Sequence, residues 1–291
     1  MAHGAKSMKK QNLIYLFGIF LCICLLVGYQ ALDMIRTDNE KPDIRIAEEA
    51  LEVSVLASNE TLLQGVSAWD DTDGDVTDSL VVESVLLADT EGTVTVTYAA
   101  FDRSGNVAKA TRNMRFSDYR GPRFSLSQSL AFTSGREYDL FSIISAEDTL
   151  DGNISHRLRA TSMDEASLTA VGTHDVEIRV TNSLGDTAKL ILPVEVYAPN
   201  TYDATVTLSD YLIYLDAGSA FNPSRYLDAY IQGSETVSLS SGMPTGFSLQ
   251  VTGSVDTQTP GVYPVAYRVT RTLENSRRYT GYARLIVVVE G

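Results

Sequence analysis

A chain of 291 residues, 44% hydrophobic and 21% charged, has room for two or more globular domains. Its formal net charge of −14 argues against nucleic-acid partners, because phosphate binding needs basic clusters. The two cysteines, Cys22 and Cys24, both lie in an apolar run near the N-terminus, which excludes a disulfide framework for the rest of the chain.

Lys6, Lys9 and Lys10 precede a run from Leu13 to Leu32 that carries no charge. About twenty residues at helical rise reach about 30 Å, the thickness of a bilayer core. The expectation is a basic cytoplasmic tail (1–11) and a transmembrane signal-anchor (12–32), with the bulk of the chain outside the cell membrane because positive flanks stay inside. A cleaved signal peptide fits less well. Cleavage after Ala31 or Gly28 would put Tyr29 or Leu26 where small residues are preferred. Residues 33–45, charged and broken by Pro42, read as a juxtamembrane linker.

The remainder repeats one plan. With Gly92, Gly172 and Gly261 as origins, Val96 and Tyr98 match Val176 and Ile178, and then Val265 and Tyr267. Apolar residues at every second position put one face of a strand into a core. Asp102 to Gly105 and Asn182 to Gly185 are hairpin chemistry, Asx binding local backbone and Gly accepting positive φ. In the third copy the second strand (Ala283, Leu285, Val287, Val289) arrives six residues late, which predicts a longer hairpin loop over Arg271 to Gly281. A fixed period of this kind indicates tandem modules at 46–118, 119–198 and a divergent 199–291. Short turn-rich joints at Asp118–Pro122 and Ala198–Asn200 predict a semi-rigid rod.

An acidic turn also repeats. Asp70-x-x-Asp73-Gly74-Asp75-Val76-Thr77 matches Asp148-x-x-Asp151-Gly152-Asn153-Ile154-Ser155 position for position. Together with Pro260-Gly261-Val262-Tyr263, Val96-Thr97-Tyr98 and Asp102-x-x-Gly105-Asn106, this set resembles the bacterial immunoglobulin-like domains of surface proteins and crystal toxins. The resemblance implies an all-β fold of three tandem Ig-like β-sandwiches, which would follow the one N-terminal transmembrane helix expected from the apolar run.

The carboxylates of Asp70, Asp71, Asp73, Asp75 and Asp78 suit calcium, which takes six to eight oxygens. The EF-hand spacing fails, since its sixth position, counted from Asp71, is Val76. The simpler reading is a turn in which Asp side chains cap backbone N–H groups and Gly74 is left-handed. Accordingly no metal ligand, cofactor or catalytic residue is assigned, and whether Asp70, Asp71, Asp73, Asp75, Asp148 and Asp151 bind calcium is left open. His174 sits at a strand position matching Val94 and Tyr263, which points to a packing role. No zinc spacing and no G-x-S-x-G elbow occurs, so an enzyme is not expected. Ten of the fifteen tyrosines lie from residue 197 onward. Tyr279 with Arg271, Arg277 and Arg278 gathers hot-spot residue types at the third hairpin.

The expected function is that of a membrane-anchored surface protein whose modules form a non-catalytic spacer and adhesion array. Its ligand would be an envelope polymer or a surface protein. The alternative is an accessory subunit of a membrane-bound envelope complex, docking a partner protein through the modules.

Overall fold

A computed structural model describes residues 15–30, 38–47, 50–89, 92–162 and 169–291. Residues 15–30 form a helix, α1, with Leu16, Phe17, Ile19, Phe20, Leu25 and Leu26 all exposed. At 1.5 Å per residue this stretch is about 24 Å long. No helix among the described residues is long and apolar enough to cross a membrane. The remaining positions of the expected anchor, 12–14 and 31–32, lie outside the described residues.

The rest of the described chain is built on strands, as the alternating pattern requires. It divides into two compact units. In the first, β1 (Asp43–Ile46), β3 (Val66–Asp70) and β4 (Gly74–Asp75) form a three-stranded sheet. Strands β2 (Ala50–Val53), β7 (Val107–Phe116), β6 (Thr93–Phe101) and β5 (Val81–Leu87) form a four-stranded one. The one-turn helix α2 (Asn59–Leu62) starts on Ser58, whose hydroxyl accepts from the Thr61 N–H. Val94, Val96, Tyr98 and Ala100 are fully buried, so the alternation from Gly92 is the inward face of β6. Strand β1 takes its first three residues, Asp43 to Arg45, from the segment expected to be linker. Pro42 precedes it, where a missing N–H costs no ladder bond.

The second unit carries the two later repeats. Strands β8 (Arg123–Leu126), β10 (Ile144–Asp148) and β11 (Gly152–Asn153) form one sheet. Another contains β12 (Arg159–Ser162), β13 (Gly172–Thr181), β14 (Thr187–Tyr197) and β9 (Ala131–Thr133). The last seven strands share one sheet: β15 (Ala204–Leu208), β16 (Leu212–Asp216), β17 (Leu227–Gln232), β18 (Glu235–Ser238), β19 (Phe247–Thr252), β20 (Gly261–Thr272) and β21 (Arg278–Glu290).

Two expectations are corrected here. The expected rod treated the second and third modules as separate bodies, yet they share a core. Leu212, Ile286 and Val288 belong to the cluster of Phe124, Leu130, Ile178 and Leu192, while Leu285, Val287 and Val289 face the third module's own core. Strand β21 is therefore covered on both faces, as continuous apolar runs are. Arg123 stacks on Tyr214 at 4.7 Å and pairs with Glu290, and the Tyr214 hydroxyl accepts from the Phe124 N–H at 2.8 Å.

The third hairpin loop is also no longer than the others. Loops 102–106, 182–186 and 273–277 all span the same five positions. Each closes with the same backbone bonds: Asp102 N to Asn106 O, Asn182 N to Asp186 O, and Leu273 N to Arg277 O. Gly281 lies opposite Val269 as Ala188 lies opposite Val180. The insertion thus lengthens the paired strands rather than the loop, and the displacement is four residues, not six.

Candidate functional site

The acidic turn forms as its residues dictate. Gly74 adopts φ 77° and lets β4 fold back on β3, with Asp70 opposite Gly74. Asp70 Oδ1 accepts the Thr72 and Asp73 N–H groups, each at 2.9 Å, and Asp75 Oδ1 accepts that of Thr77. These Thr77 bonds hold the Asp75 carboxyl below its ordinary range.

What the turn reading left out is Asp38. Oxygens of Asp38, Asp70 and Asp73 lie within 4.8 Å of one another. Asp70 is 1% exposed, and its Oδ2, like Asp38 Oδ2, is buried with no hydrogen-bond partner among the described residues. Asn106 holds Asp38 there, its Nδ2 donating to the Asp38 carbonyl at 3.1 Å and to Asp102 Oδ2 at 2.6 Å. Asp73 Oδ2 accepts the Arg103 N–H at 2.7 Å, and its Oδ1 lies 3.5 Å from the guanidinium of Arg103, an 84% exposed side chain. Asp71, Asp75 and Asp78 are exposed and take no part in the cluster. No spacing in the sequence ties Asp38 to the turn, so it could be found only in three dimensions.

The second copy has the same backbone and a different charge balance. Gly152 adopts φ 66°, and Asp148 Oδ1 accepts the Asp151 N–H. Here Asp148 Oδ2 accepts from Asn182 Nδ2 at 2.7 Å, and Asn182 also donates to the Tyr119 hydroxyl. Asp151 is paired with Arg157 at 2.6 Å and bonded by Ser183. The positions of Asn182 and Arg157 are Asp102 and Ser79 in the first copy.

A second feature lies inside the second unit. Tyr202 and Tyr282 stack at 4.6 Å, and Tyr197 meets Tyr202 edge-on at 4.9 Å. Arg268 covers the Tyr282 ring at 5.9 Å. Burial, then the hydrogen bond to Glu195, push the Tyr282 phenol well above its ordinary range. Beside them opens a cleft of about 250 Å³, lined among others by Gln128, Ser129, Tyr138, Tyr197, Thr205 and Tyr282. The tyrosine enrichment read from the sequence gathers at this junction as well as at the hairpin. At the hairpin Arg277 stacks on Tyr279 at 5.0 Å, and Arg271 pairs with Glu235. His174 is half-buried and bonds the Ala170 carbonyl at 2.8 Å.

No curated protein matches the chain. Among solved structures it is similar to CBM51-2 with INT domains of Clostridium perfringens ZmpB, at 17% identity and TM-score 0.22, covering 57% of this chain and 31% of that one. It is similar also to protocadherin gamma B7 cadherin domains 1–4, at 12% identity and TM-score 0.21, covering 86% and 76%. Mouse cadherin-23 EC22–24 matches at 15% identity and TM-score 0.21, covering 87% and 99%. Overlaps of this quality carry no argument about the chain. Residues 55–115 match the family described as bacterial surface protein, Ig-like domain. The segment that bears the acidic turn and the Asp102–Asn106 hairpin is thus the part of the chain that matches the bacterial surface-protein Ig-like family.

Proposed function

We propose that the chain is a single-pass, N-in surface protein whose Ig-like modules form a non-catalytic spacer and binding array, with an envelope polymer as ligand. The family of residues 55–115 supports the surface setting. What supports the anchor is the uncharged run from Leu13 to Leu32 behind Lys6, Lys9 and Lys10. The observation that carries the binding reading is the tyrosine-lined cleft of the second unit. Its lining sets Tyr138, Tyr197 and Tyr282 beside the Gln128 amide and the Ser129 and Thr205 hydroxyls, a mixture of aromatic and polar groups that suits a sugar ring, which is apolar on its faces and polar at its rim.

The test is co-sedimentation of the full chain, in detergent, with purified cell-wall polymer. Tyr197→Ala and Gln128→Ala are expected to weaken retention at least tenfold, and alanine at Arg277, Arg278 and Tyr279 to leave it unchanged. The opposite pattern would move recognition to the hairpin and overturn the cleft assignment. For the anchor, protease added to spheroplasts should digest the modules while the mature N-terminus stays near Met1. A mature N-terminus between residues 28 and 36 would contradict it.

A further inference from the structure

The first acidic turn is short of positive charge in a way the second is not. In the second, the Asn182 amide fills the space beside Asp148 Oδ2, and Arg157 neutralises Asp151. In the first, Asp102 and Ser79 stand in those places and Asp38 is added. Three carboxylates converge, and two of their buried oxygens have no partner among the described residues. Leaving such oxygens bare is costly, and a charged one more so. We infer that Asp38, Asp70 and Asp73 form a calcium site in which the cation takes the place that the Asn182 amide holds in the second copy.

Calcium fits the donors. All are oxygens, which selects a hard cation. They come from a turn and from a separate segment ahead of β1, a set suited to calcium's loose geometry of six to eight ligands rather than to magnesium's strict octahedron. Asp70 Oδ1 remains on the backbone N–H groups, so its two oxygens divide the work: one shapes the turn and the other faces the ion. Binding would clamp the segment at Asp38 onto the turn, adding to the bond that Asn106 donates to the Asp38 carbonyl.

The chain's one tryptophan, Trp69, adjoins Asp70 and packs beside Gly74, so its emission reports on the site directly. The full chain in detergent is titrated with calcium chloride after treatment with chelator, and uptake is measured in parallel by equilibrium dialysis. The expected result is one calcium per chain with a saturable change in Trp69 emission. Asp38→Asn should weaken binding at least tenfold. So should Asp102→Asn, which imitates the second copy and keeps the fold, while Asp151→Asn should bind as the parent does. Absence of uptake at millimolar calcium would overturn the site. So would unchanged affinity in both Asp38→Asn and Asp102→Asn, since the carboxylates would then be balanced by a shared proton or by Arg103.

Discussion

Single residues carry the differences between repeated parts. The fourth loop position is Gly105 at φ 88° and Gly185 at φ 88°, but Ser276 at φ 62° in the third hairpin. A side chain in that left-handed region costs about 1 kcal/mol. Ser276→Gly is therefore expected to stabilise the chain by about that amount, read as a higher urea midpoint at unchanged m-value. Titration follows the same residues. Burial opposes ionisation of Asp102 and Asp151, yet hydrogen bonds from Asn106 and Ser183 outweigh it and hold both carboxyls below the ordinary 3.8. Bonds from Val55 and Ser54 do the same for Asp118. Carboxyls with depressed folded values stabilise the fold above 3.8 and lose that contribution as pH falls through the folded values. Urea midpoints should hold down to about pH 4 and drop below it; a loss already complete at pH 5 would contradict this assignment. The paired motif was legible as a turn because Asx and Gly act locally. Its charge balance was legible only as the contrast of Asp102 with Asn182, whose meaning depends on Asp38 beside the turn.

At the scale of elements, periodicity revealed the inward face of each strand and missed the outward contacts of β21. Leu285, Val287 and Val289 alternate as a core face should, and Ile286 and Val288 fill the gaps with equally apolar side chains. That unbroken run was the available signal for a strand covered on both sides. Gly281 shows a related limit. A Cβ there would stand 3.0 Å from Val206 and 3.1 Å from Tyr230, so the glycine answers to packing and gives no local turn signal. Ile286 lies off its own module's core and is 1% exposed. Ile286→Ala should still cost about 2–5 kcal/mol, the range for emptying a packed aliphatic site. A cost under about 1 kcal/mol, measured by urea unfolding, would show that this face is not packed.

For the whole molecule, the strand-built architecture and the surface-type Ig-like domain of residues 55–115 could be read from the chain, because each rests on local pattern. The joining of the second and third modules could not, because it depends on which face of one sheet meets another. Their shared core predicts that they unfold together, and the tyrosine-lined cleft takes residues from both. A chain ending at Ala198 would lose Leu212, Ile286 and Val288 from the second module's core, so its binding defects would mix recognition with instability. The most direct test is hydrogen exchange on Ile286→Ala, resolved by segment. Amides of β13 and β14 and those of β20 and β21 should lose protection together and by the same factor, with β6 and β7 unchanged. Loss confined to β20 and β21, with β13 and β14 protected as in the parent, would show instead that the two modules fold separately.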